Sequence, residues 1–361
     1  MPLDFLKKFF NIKPKAPEIK ENTFIVWEPC TKNHAEVVPG FVKYLSDLGY
    51  HVSVLVDPAR LKEGLFSRFD LPNITYNKLN SKQSKKFFKT ADLSKIKGVL
   101  VTTVGKLCEE AQYDQSYETF NSTIDRNKLF FVEHKAKPAI DQGLWKESLI
   151  TLRELDYKGA KSVVVNPHYF GSQVKITPKN EDITNFVTIG AIRARKKNTD
   201  DIISAVEKLV ARGVTNFKVT IIGKGKMKHI PKELRKYFEL KGQLAFAKMY
   251  DEIEKADFIL TSYDDQNPVH QRYIQYQTSG NFQLIYGFLK PCLLIESFGA
   301  INGYDNTNSI LYKTVADYSE AMEHAINLSQ EDYTKMQDSL KVYVDRLYQE
   351  SLNNFKEAIG G

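Results

Sequence analysis

TSGNFQLIYGFLKPCLLIESFG, residues 278–299, reads as a small-residue turn, a buried helix, a Lys-Pro break and then a buried strand. In an α/β chain, the backbone N–H groups of a turn that opens a helix can hold phosphates, such as those of a nucleotide-sugar. Gly280 also has a plainer reading, as the residue that relaxes a tight turn. What surrounds the segment therefore has to decide.

Working outward, the second half of the chain alternates strands and helices. Strands are expected at 186–189, 218–222, 257–260 and 292–295, and helices at 199–211, 231–238, 248–255 and 279–288. The first half shows the same rhythm, with strands at 24–27, 51–56, 98–102, 129–132 and 162–165 and a helix at 35–48, a βαβ opening of a parallel sheet. A Pro-, Gly- and polar-rich stretch at 166–185 has the composition of an interdomain connection. The expected organisation is a basic leader (1–20), a first Rossmann-like domain (21–175), a second (183–330) and closing helices (331–361) that pack back on the first domain.

A length of 361 residues suits two cores, and 42% hydrophobic with 26% charged residues is ordinary globular composition. Cys30, Cys108 and Cys292 are too far apart for a close zinc spacing and odd in number for a disulfide framework, which implies a cytoplasmic setting. No run of 18 apolar residues occurs, and the first 20 residues lack the pattern of a secretory signal. Leu3, Phe5, Leu6, Phe9 and Phe10 alternate with Lys7, Lys8, Lys13 and Lys15, which suits either an anionic membrane surface or a leader whose phenylalanines pack on the domain. The net charge of +7 favours phosphate-bearing ligands. Nucleic acid is not expected: zinc-finger spacing and RNP-like aromatics are missing, and the lysines of 82–97 read as a solvated connection.

Four passages, EPCTKNHAEVVPGFVKYLSDLGYHVSVLVD (28–57), VTIGAIRARKKNTDDIISAVEKL (187–209), VTIIGKGK (219–226) with ELKGQLAFAKMYDEIEKADFIL (239–260), and the opening segment through NGYDNTNSILY (302–312), together resemble the GT-B glycosyltransferases, specifically the retaining, family-four-like branch (glycosyl transferases group 1). The resemblance implies an α/β fold of two Rossmann-like domains facing a cleft. It also implies transfer of a sugar from a nucleotide-sugar donor to a glycan, lipid-linked or protein acceptor, without a metal cofactor, at the inner face of a membrane or in the cytoplasm. The donor would bind the second domain and the acceptor would enter from the first. Two departures stand out: Gly190-Ala191 replaces the usual Gly-Arg, and the family's Glu-x7-Glu pair is absent from the corresponding 277–284 region. The two departures together motivate a rival reading as a non-catalytic accessory subunit, and a sugar-nucleotide epimerase of the same fold is a third.

Departure of a nucleoside diphosphate develops negative charge, so preorganised cations are expected. Arg193 and Lys197, with Arg195 between them, follow a strand end and suit a diphosphate; a solvated basic loop is the alternative. Ser279, Gly280, Asn281, Phe282 and Gln283 form the expected donor loop, with Asn281 or Gln283 bonding the sugar. His34 and His134 each follow a strand of the first half. By resemblance to the retaining branch His34 would position acceptor or donor sugar; in an inverting enzyme it would be the general base, and a helix cap is the structural alternative. GKGK at 223–226 lacks the remaining glycine of a dinucleotide fingerprint and reads as a turn, and no Asp-x-Asp occurs.

Overall fold

The computed structural model describes residues 17, 19–30, 34–107, 113–143, 149–168, 173–190 and 199–360. Two parallel sheets organise it. The first has seven strands in the order β3-β2-β1-β4-β5-β6-β7: β1 (Thr23–Trp27), β2 (His51–Val56), β3 (Ile74–Lys78), β4 (Gly98–Val101), β5 (Leu129–Glu133), β6 (Leu149–Thr151) and β7 (Val163–Val164). The second has six in the order β10-β9-β8-β11-β12-β13: β8 (Thr184–Ile189), β9 (Phe217–Ile222), β10 (Phe238–Gly242), β11 (Phe258–Leu260), β12 (Cys292–Ile295) and β13 (Ile310–Tyr312).

Alternation along β1 explains why this strand is central. Phe24 and Val26 enter one apolar cluster with Val38, Phe41 and Leu45, while Ile25 and Trp27 enter another with Phe88 and Val99. A strand covered on both faces needs a continuous apolar run, which TFIVW supplies. In each sheet the chain order reverses once, between β1 and β4 in the first and between β8 and β11 in the second. Crevices for ligands open at the carboxyl ends of strands at such reversals.

Several local expectations are corrected. The lysines of 82–97 belong in part to a helix, Ser81–Thr90, opened by an Asn80–Gln83 capping box and seated on Phe87 and Phe88. Residues 231–238 form a 3-10 run, Lys232–Tyr237, that leads into β10. Strands β3 and β10 are sheet edges, β3 with no fully buried residue and β10 with Phe238 alone, so they lack the apolar run that marks an interior strand.

Helix numbering here covers the elements that frame the site: α1 (Val38–Asp47), α2 (Phe246–Lys255), α3 (Gln271–Gln275), α4 (Gly280–Phe288) and α5 (Gln330–Ala358). Helix α5 spans both halves. Near its start the Tyr333 hydroxyl donates to the Asp257 carbonyl at 2.8 Å, and Met336 and Leu340 join the second core. Near its end Phe355 packs edge-on against Phe41, Tyr348 stacks on Tyr44 at 5.0 Å, and Asn354 Nδ2 donates to the Val164 carbonyl at 2.9 Å. The expected return of the last helix to the first half is thus seen. A second tie runs from Arg68, whose guanidinium forks onto the Glu254 carboxylate on α2 (Nε to Oε1 2.7 Å, Nη2 to Oε2 2.8 Å).

Candidate functional site

A cleft of about 690 Å³ lies between the two sheets. From the first half it is lined by His34, Glu36, Arg60 and Glu63; from the second by Gly190, Gly223, Lys224, Gln243 and the start of α4. Gly190 follows directly on β8, at the sheet's reversal, and carries a φ of 140° that favours glycine.

Behind the first wall a buried polar group spans the other reversal. Glu28 directly follows β1, and its carboxyl accepts from the Thr102 and Thr103 hydroxyls, both at 2.8 Å, and from the Cys30 N–H at 2.5 Å. Those threonines directly follow β4, so the carboxyl ties together the two strands that diverge there. Burial outweighs these bonds and pushes the Glu28 carboxyl up to about 7.

His134, just past β5, packs its ring against His34 with centroids 4.6 Å apart and planes at 70°. Its Nε2 lies 2.7 Å from the Thr102 carbonyl oxygen, which can only accept, so Nε2 carries the proton. Burial first, then the neighbouring His34, push the His134 imidazole down to about 3. A neutral ring whose proton is committed to a carbonyl is a support rather than a proton carrier, and only His34 of the two lines the cleft. His34 stands at the N-cap of the 3-10 turn Ala35–Val37, where its carbonyl accepts from the Val37 N–H at 3.4 Å and its side chain makes no capping hydrogen bond. Its backbone is left-handed (φ 68°), a conformation uncommon outside glycine and one that tends to collect at functional sites.

On the second wall the donor-loop candidates separate. Ser279 caps α4, its Oγ accepting from the Asn281 N–H at 3.4 Å. Ser279, Gly280 and Asn281 line the cleft. A Cβ on Gly280 would come within 2.9 Å of Glu36 Oε1, so the two halves approach closely at this point. Phe282, by contrast, is turned into the core, stacked on Tyr263 at 5.5 Å, and its ring is not placed to meet a donor. Gln283 is 1% exposed, with neither amide atom hydrogen-bonded among the described residues, and it is Asn281 that faces the cleft. Leu284, at the end of the 277–284 region that corresponds to the family's paired glutamates, lies on the cleft wall.

Arg193, Arg195 and Lys197 lie outside the described residues; the residues on either side of that gap are Gly190 in the cleft and Thr199 at the start of a helix, Thr199–Ala211. Cys30 and Cys292 are buried free thiols, and Cys108 and the leader also lie outside the described residues. Sequence reasoning missed Glu36, Arg60, Glu63 and Gln243, and dismissed Lys224 as part of a turn. Their signal was weak: Arg60 and Glu63 read as an ordinary i,i+3 ion pair at the helix Pro58–Lys62, Glu36 as a polar residue of a short turn, and Gln243 as a residue just past an edge strand. Among the described residues no three His, Cys, Asp or Glu side chains converge as a metal site, and no helix is long and apolar enough to cross a membrane.

By sequence, the chain matches no protein-family model and no curated protein. By structure it resembles one described as trehalose-6-phosphate from E. coli bound with UDP-2-fluoro glucose, with a TM-score of 0.54 at 10% identity, over 94% of this chain and 99% of that one. It also resembles AviGT4, a glycosyltransferase involved in avilamycin A biosynthesis, with a TM-score of 0.51 at 12% identity, over 95% of this chain and 99% of that one. The fold is GT-B. In a GT-B frame the cleft described above is the interdomain crevice, with His34 on one wall and the start of α4 on the other.

Proposed function

We propose that the protein is a glycosyltransferase that moves a sugar from a nucleotide-sugar to a glycan, lipid-linked or protein acceptor, with retention of configuration and without a metal. The observation that carries this reading is the cleft itself: two strand-order reversals face each other, one offering glycine-lined backbone and the other a fixed histidine. The second wall suits the donor. Gly190, Gly223 and Gly280 allow close backbone approach, the start of α4 offers N–H groups, and Lys224 with Arg193, Arg195 and Lys197 supplies positive charge for the diphosphate. The acceptor enters from the first wall, where His34, backed by His134, orients a hydroxyl.

In the reaction the bond from the anomeric carbon to the diphosphate oxygen breaks and a bond to the acceptor oxygen forms. The acceptor proton passes to the leaving phosphate, so no catalytic carboxylate is required. Cations at the diphosphate stabilise the charge that develops as the bond breaks. Leu284, an apolar residue on the cleft wall in the region that corresponds to the family's paired glutamates, favours a second reading, a GT-B protein that binds in a glycosylation complex without turnover. Incubation with UDP-, GDP-, ADP-, CMP- and dTDP-sugars separates the readings. Release of free nucleotide supports transfer, an epimerised nucleotide-sugar marks an epimerase, and binding without release marks the accessory protein. On this reading the protein works in the cytoplasm or at the inner face of a membrane.

A further inference from the structure

The connector between α3 and α4 carries Ser279 and Gly280 into the cleft, and the first half of the chain grips it from the other side. Arg153, two residues past β6, is 8% exposed. Among the described residues its guanidinium donates to carbonyl oxygens alone: Nη1 to Glu154 at 2.6 Å, Nη2 to Tyr273 at 2.8 Å and to Ile274 at 2.6 Å, and Nε to Gln277 at 3.4 Å. Backbone groups add to the grip. The Ala136 N–H donates to the Tyr276 carbonyl at 3.1 Å, the Asp156 N–H donates to the Gln275 carbonyl at 3.2 Å, and Lys135 and Gln277 form an antiparallel bridge.

The chemistry of this contact is specific. The last carbonyls of a helix have no partner within it and form the negative end of its dipole. A planar guanidinium with five donors can serve several of them at once, which a lysine ammonium cannot do with the same geometry. Burial pushes the Arg153 guanidinium down to about 10, which still leaves it charged at neutral pH. With the carbonyls at 273, 274 and 277 held, the point at which the chain re-enters a helix at Ser279 is fixed relative to the first half.

We propose that Arg153 is a positioning residue for the donor: by holding the 273–277 carbonyls it sets the loop that presents Ser279 and Gly280, so the donor site of one domain is completed by a side chain of the other. This rests on the donor reading given above. Arg153→Lys keeps charge and bulk but not the fork, and Arg153→Ala removes both.

The test uses the full chain. For wild type and both variants it measures the dissociation constants of UDP, GDP, ADP, CMP and dTDP, KM and kcat for hydrolysis of the matching nucleotide-sugar, and amide exchange along the chain. In Arg153→Lys the expected result is a nucleotide dissociation constant and donor KM raised about tenfold, kcat at saturation within threefold, and faster exchange confined to 276–281. A folded Arg153→Lys chain that binds nucleotide within twofold of wild type overturns the proposal, as does faster exchange spread over the whole molecule. Should Arg153→Ala fail to fold, the lysine variant decides. A wild-type chain that binds none of the nucleotides overturns the donor reading and the positioning role together, whereas equal binding by wild type and variants overturns the positioning role alone.

Discussion

Behind the first-domain wall of the cleft the polar groups hold one another: the Thr102 and Thr103 hydroxyls on the Glu28 carboxyl, His134 on the Thr102 carbonyl, and His134 against His34, which lines the cleft. On the second-domain wall, Gly190, Gly223 and Gly280 present backbone, and the side chains that follow, Phe282 and Gln283, turn away into the core. A wall of interlocked side chains is stiff and titratable, so substitutions there should change pH behaviour. Backbone and small residues leave room for a large anionic ligand, so substitutions there should act through added bulk or lost charge.

The largest effect is expected where charge is removed. Arg193→Ala with Lys197→Ala should weaken nucleoside-diphosphate binding about a hundredfold or more, because each hydrogen bond to a charged group contributes about 1.5–3 kcal/mol. Isothermal titration reads this directly, and unchanged affinity would mean that the ARKK segment is a solvated loop.

Added bulk comes next. Gly280→Val should lower turnover about tenfold, since a Cβ there already meets Glu36 Oε1 at 2.9 Å and a branched side chain needs more room. Gly280→Ala should cost far less, because the far end of the Glu36 side chain can move aside. If Glu36→Ala fails to restore part of the activity of Gly280→Val, the steric account is wrong.

The pH prediction concerns two groups behind the first-domain wall, which act with opposite sign. Glu28 titrates at about 7 in the folded chain against about 4.5 unfolded, so its contribution to stability is fully present below 4.5 and is lost as pH rises through 7. His134 is depressed to about 3 from 6.5, so its contribution is fully present above 6.5 and is lost as pH falls towards 3. Melting curves from pH 4 to 8 should show Glu28→Gln flattening the loss on the alkaline side, and His134→Gln flattening the loss on the acid side. Identical profiles for wild type and both variants would contradict the assignments.

The smallest effect concerns Gln283. An amide buried without partners costs about 1–3 kcal/mol, so Gln283→Met should raise the melting temperature slightly while leaving nucleotide affinity unchanged. A loss of donor affinity would return Gln283 to the site.

Much of the fold was legible because interior strands of a parallel sheet are continuous apolar runs. TFIVW, GVLV and CLLI each announce themselves. The edge strands ITYNK and FELKG do not, since one side of each faces solvent, and the lysine-rich Ser81–Thr90 helix hides its two buried phenylalanines among charges. Of the cleft lining, His34 and the 279–281 turn could be picked out from their places after strands and before helices. Whether a residue in the first turn of a helix faces a cleft or a core depends on what packs against it, which is why Phe282 and Gln283 were misplaced. Arg153 and Glu36 owe their positions to contacts between domains, and local sequence carries no trace of such contacts.

The central claim, that the cleft binds a nucleotide-sugar, is tested most directly by thermal stabilisation with UDP, GDP, ADP, CMP and dTDP. At 100 times its dissociation constant a nucleotide that binds only the folded chain adds about 2.7 kcal/mol of stability. The account predicts a clear rise in melting temperature with one of these nucleotides, abolished by Arg193→Ala with Lys197→Ala. No rise with any of them would contradict it.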